Sequence, residues 1–84
     1  MATNLNGKVT DLSGTGLFLV TTTFLPIGKQ VHLEFDLKTG KVEAVAEVRW
    51  IARGNDVPEQ GMGIRFLRLS AASARVIDDA LGLP

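Results

Sequence analysis

From Val31 to Leu37 the chain alternates apolar and polar residues without a break. Val31, Leu33, Phe35 and Leu37 share one face. Gln30, His32, Glu34 and Asp36 share the other, which predicts a strand with one dry side and one wet side. Lys38-Thr39-Gly40 then reverses the chain, with Gly40 placed for a left-handed turn position. The next run is longer. Val42, Ala44, Ala46, Val48, Trp50 and Ala52 form an apolar face, and Glu43, Val45, Glu47, Arg49, Ile51 and Arg53 a mixed one. A strand of that length has to twist strongly or bend, as strands do when they close a small barrel. Trp50 falls on the apolar face, where it reads as core rather than as a platform for stacking a base.

Gly54 to Gln60 is polar and contains Pro58, the pattern of an exposed loop. Gly61 to Leu69 returns to strand, with Met62, Ile64 and Phe66 on one side and Arg65 on the other. Nearer the start, Asn4 to Thr10 and Leu17 to Thr22 read as two further strands, and Leu25-Pro26-Ile27-Gly28 as a turn. The connections are short, so the expectation is five antiparallel strands in meander order. At Ser70 the period changes. Ser70 is a good N-cap, an alanine-rich segment follows, and Val76, Ile77, Ala80 and Leu81 make one apolar stripe. Arg75, Asp78 and Asp79 face solvent, Gly82 is placed to stop the helix and Pro84 cannot continue it. The predicted fold is mainly β: a small antiparallel barrel of about five strands, with a C-terminal helix over an open end or face.

Composition narrows the function. The 84 residues make a single domain, spanning 1–84, that buries roughly 60–65% of its unfolded surface. Nine basic and nine acidic side chains cancel, which argues against a partner as highly charged as duplex nucleic acid. There is no cysteine, so disulfides, thiolate metal sites and cysteine nucleophiles are all excluded. No apolar run approaches the ~20 residues of a membrane helix, and the N-terminus has no signal pattern, which points to a cytoplasmic protein without a membrane partner. His32 has no second histidine for a metal, and no nucleophile–base pair is visible, so an enzyme is not expected.

The densest chemistry lies in Asp11-Leu12-Ser13-Gly14-Thr15-Gly16, a turn between apolar runs. A carboxylate and a hydroxyl two residues apart can bond nearby backbone amides and fix the turn. Gly14 and Gly16 would permit positive φ and close backbone approach. If the turn leaves them free, Asp11 and Ser13 also present acceptors that suit a guanine edge. Arg49, Arg53, Arg65 and Arg68 allow two readings: a gathered anion site, or solvated strand charges pairing with Glu43 and Glu47 across the sheet, the simpler of the two.

The hexapeptide resembles the D/N-x-S-x-x-G signature of PilZ domains, bacterial receptors for cyclic di-GMP. Val48-Arg49-Trp50 and Gly61-Met62-Gly63-Ile64-Arg65-Phe66 look like that family's last two strands, and a terminal helix completes the order, so the likeness runs from about Lys8 to Leu81. It implies cyclic di-GMP as the ligand, with no cofactor, and Asp11, Ser13, Gly14 and Gly16, with Lys8 beside them, as its candidate contacts. The family's R-x-x-x-R motif, which grips phosphates and guanine edges, has no counterpart ahead of the hexapeptide, nor has the family's first strand. Lys8 is the lone cation there, without the fork geometry of a guanidinium. Two missing arginines would weaken binding by roughly two to four orders of magnitude.

These features together predict a regulatory or adaptor module of cyclic di-GMP signalling. It would act through contacts with a protein partner, on motility or surface attachment, with weak or no nucleotide binding of its own. The alternative is a genuine receptor that uses Asp11, Ser13 and Gly16 with arginines from elsewhere. An absent first strand leaves an unpaired edge able to take a strand from a partner or a second copy, which predicts a homo-oligomer.

Overall fold

The computed structural model describes residues 7–83. Its elements are β1 (Lys8–Thr10), β2 (Gly16–Val20), β3 (Gln30–Leu37), β4 (Gly40–Ala52), β5 (Gly61–Leu69) and α1 (Ala71–Ala80). The expected first strand over Asn4 to Thr10 appears as Lys8–Thr10, and its earlier part lies outside the described residues. All neighbouring strands are antiparallel. The five strands form one sheet, curled into a half-barrel whose edges are β1 and β3.

The strand order is β1-β2-β5-β4-β3, which corrects the expected meander. β2 pairs with β5, not β3, so β2 to β5 make a Greek key. The segment between β2 and β3 explains why. It is no tight turn but a crossing held by apolar anchors. Thr21 N–H donates to Gln60 O at 3.1 Å, carrying the chain on beside β5. Phe24 and Leu25 then pack against the core, and Leu25 N–H points at the Met62 sulfur at 3.3 Å. Only afterwards does the turn closed by Lys29 N–H on Pro26 O deliver the chain to β3.

The inward faces follow the alternation. Leu17 and Leu19 from β2, Val31 from β3, Ala46 and Val48 from β4, and Met62 and Ile64 from β5 form the core. The β4–β5 pairing is interrupted by two bulges, the first in β5 and the second in β4. The first leaves Leu67 of β5 without an opposite residue, and its side chain turns to solvent. The second opposes Val48 to Ile64 and Trp50 to Gly63, leaving Arg49 as the extra residue. A bulge of this kind bends the strand and re-aims every side chain beyond it.

The helix begins as its sequence directs: Ser73 N–H donates to the Ser70 hydroxyl at 3.0 Å. It lies on the start of β4, with Ile77 fully buried. Ala80 and Leu81, expected on the buried stripe, are exposed, and Ser73 is buried in their stead. The reason is the length of β5. Its pairing with β4 ends at Ala44, so Glu43 N–H has no strand to bond on that side, and the Ser73 hydroxyl accepts it at 3.0 Å. The helix tilts its first turns into the sheet and its last turn away. Leu83 N–H on Asp78 O and Gly82 N–H on Asp79 O close that end. Ser73→Ala leaves the Glu43 amide unpaired, with an expected loss of about 1–3 kcal/mol in urea unfolding. A loss below a few tenths would mean that the contact carries no weight.

Candidate functional site

The Asp11–Gly16 turn is tied on both sides. Ser13 N–H donates to Gly16 O at 2.9 Å, and Phe66 N–H reaches over from β5 to Thr15 O at 2.8 Å. The Ser13 hydroxyl accepts from Thr15 N–H at 3.2 Å, donates to Gly16 O at 3.3 Å and lies 3.1 Å from the Thr15 hydroxyl. It therefore holds the turn's shape. Positive φ falls on Asp11 (49°) and not on Gly14 or Gly16, correcting the expectation for those glycines. Aspartate tolerates that region better than most side chains. Gly16 matters for close approach: a Cβ there would strike the backbone of Ile64 and Arg65. Gly14 faces open space. The exposed Asp11 carboxylate has one partner among the described residues, the Thr10 hydroxyl at 3.5 Å.

Beside the turn lies an open cleft of about 400 Å³ on the outer side of the sheet. Asp11, Ser13, Thr15 and Gly16 form one wall, and Arg49, Trp50 and Arg65 line it from β4 and β5. Trp50 corrects the sequence expectation. It is 52% exposed, because the extra residue Arg49 shifts the alternation and gives the inward position to Ile51. Gly63 makes the floor. The indole lies so close over it that a Cβ would collide with Nε1, Cε2 and Cδ1. Phe18 stacks against the indole with ring centroids 5.1 Å apart and an interplanar angle of 28°.

Electrostatics on this surface are mixed. Arg49 bonds Glu47 at 3.2 Å, and Arg65 is the residue opposite Glu47 on β5. The expected pairing across the sheet takes another form: the ion pair at Glu47 is with Arg49 two residues along the same strand, no arginine bonds Glu43 among the described residues, and Arg49 and Arg65 both border the cleft. Of the residues anticipated, Asp11, Ser13 and Gly16 line the cleft, whereas Gly14 and Lys8 do not. Arg53 lies apart, with its guanidinium carbon 5.3 Å from the centre of the Phe24 ring, and Arg68 is outside the cleft. Trp50, Thr15, Phe18 and Gly63 went unread as site residues. One signal was available: glycines alternating with core residues in β5 leave a bare outer track on which flat rings can lie.

Exposed aromatic surface, guanidinium groups and a carboxylate thus meet on the outer side of a curled antiparallel sheet, away from the core of a small β-domain. The chain belongs to the PilZ family: the family model, described as PilZ domain, matches residues 2–82. No curated protein and no solved structure matches the chain. PilZ domains are receptor and adaptor modules of cyclic di-GMP signalling. Among the described residues no helix is long and apolar enough to cross a membrane, and no group of three or more His, Cys, Asp or Glu could hold a metal ion.

Proposed function

We propose that this PilZ domain is a non-enzymatic cyclic di-GMP receptor whose cleft takes a guanine base over Trp50. One observation carries the reading: the bulge at Arg49 turns Trp50 out beside Arg49, Arg65 and the signature turn. Each group matches a part of the ligand. The open indole face stacks a purine. The Asp11 carboxylate accepts from the N–H groups of a guanine edge. Arg49 and Arg65 meet phosphate oxygens, or the O6 and N7 acceptors, with paired donors. Glu47 competes with the phosphate for Arg49, which limits affinity.

Calorimetric titration with cyclic di-GMP tests this, with Trp50→Ala and Asp11→Asn beside the native chain. Asparagine keeps the left-handed backbone while exchanging an acceptor-only group for an amide. Saturable binding is expected, weakened roughly 10–100-fold by Trp50→Ala. Binding that ignores both substitutions would place the nucleotide elsewhere. A second reading keeps the cyclic di-GMP pathway but assigns the work to protein contacts, with weak or no nucleotide binding. The Ser13 hydroxyl favours it, since that group is engaged within its own turn. No heat of binding at ~100-micromolar protein would select it.

A further inference from the structure

Among the described residues β3 is an eight-residue edge strand without proline or an internal bulge, whereas three residues of the opposite edge, β1, are strand. Val48 N–H donates to Lys29 O, just before β3 begins. Antiparallel bonding alternates, so Val31, Leu33 and Phe35 continue the bonding to β4. The N–H and C=O groups of Gln30, His32, Glu34 and Asp36 then point away from the sheet, a row of donors and acceptors that no other strand among the described residues uses. Along the same edge Leu33 and Phe35 are only partly buried on the inner face. A zero formal net charge sets up no long-range repulsion between copies.

We propose that β3 is a homodimerisation strand, pairing antiparallel with β3 of a second copy so that His32 of each chain stands opposite the partner's Glu34. Parity and charge select this register. Two-fold pairing has to oppose outward-pointing residues to one another, and two such registers overlap nearly the full strand. One is centred on Glu34 and stacks that carboxylate on its own copy. The other is centred on Leu33. It sets His32 against Glu34 twice and Gln30 against Asp36 twice, with Leu33 on Leu33 and Val31 on Phe35 inside. Both registers set His32 against a carboxylate twice, Asp36 in the first and Glu34 in the second, but only the first opposes like charges, which destabilise a strand pair, and this favours the second register. Lys41 bonds Glu34 at 2.9 Å from β4. That bond, then the charges of Glu34 and Asp36, hold the ammonium above the usual lysine range, so the acidic side of this edge is partly neutralised. The proposal does not depend on the nucleotide reading.

Sedimentation equilibrium of the whole chain over a wide concentration range tests it. A small strand-to-strand contact predicts a dimer with Kd of roughly tens of micromolar. Glu34→Pro removes an N–H that β4 does not use, so it keeps the fold by circular dichroism and gives a monomer. His32→Glu sets carboxylates opposite one another and weakens the dimer about tenfold or more. This second variant decides the matter if the proline variant does not fold. His32→Glu/Glu34→Lys restores opposite charges in this register alone, and dimerisation returns. A native chain monomeric up to about a millimolar overturns the proposal. So does a dimer indifferent to His32→Glu, or a double variant that fails to recover.

Discussion

Removing both cleft guanidinium groups, as Arg49→Ala/Arg65→Ala, is expected to lower affinity for cyclic di-GMP by roughly two to four orders of magnitude. The ligand is a dianion, and these are the arginines that line the cleft. Each charge-assisted hydrogen bond contributes roughly 1.5–3 kcal/mol, so losing one from each arginine reaches that range. The native chain should bind more weakly as salt rises, and the double variant should lose most of that dependence. Glu47→Gln gives the opposite sign. Its carboxylate bonds Arg49 beside the cleft, so neutralising it releases that guanidinium and tightens binding several-fold at low salt. Calorimetry on the three variants reads all of this. A double variant that binds within threefold of the native chain would remove the arginines from the site.

Gly63→Val should empty the stacking position by displacing the indole, with Trp50, Asp11 and both arginines left unsubstituted. A side chain at 63 occupies the space of the indole, so the ring has to leave β5 and gives up Phe18. Intrinsic fluorescence reports the move directly, since Trp50 is the sole tryptophan, and its emission should shift to the red. Crowding of this kind costs about 1–3 kcal/mol in stability. Affinity for the nucleotide should fall as far as with Trp50→Ala, roughly 10–100-fold. Gly14→Ala is the control: it faces open space at ordinary φ and should alter neither fluorescence nor affinity. If Gly63→Val leaves emission and binding unchanged, the glycine floor has no part in the site.

Much of the fold was legible because it rests on local patterns. Alternation marked β3 and the first part of β4, Ser70 announced the helix, and polar residues with Pro58 outlined the last loop. Partner choice was less visible. β2 pairs with β5 through a connection whose Phe24 and Leu25 anchors resemble ordinary loop residues until the core they meet is known. Ser73 looked like one small residue in a helical run, and only the early end of β5 gives its hydroxyl a strand amide to accept. The signature turn showed where a site would be, yet its Ser13 serves the turn itself. Trp50 was misplaced for a definite reason. Strict period two carries a strand's faces forward indefinitely, and one extra residue exchanges them from that point on.

Arg49 therefore acts as a phase marker in β4. Before it, even-numbered residues point into the barrel; after it, the odd-numbered ones do. If Arg49 took a regular place opposite Gly63, Trp50 would face the interior and the cleft would close, while the β3–β4 hairpin, the β2–β5 pairing and the helix contact all lie on the unshifted side or on other strands. Deleting Arg49 would not do this, since Trp50 would then follow Val48 directly and stay on the outer face; it is the bulged accommodation of Arg49 that makes this face a stacking surface. The same Val48–Trp50 spacing would bury the ring in an unbulged strand, so the cleft is a property of the pairing between β4 and β5 and not of either sequence run by itself.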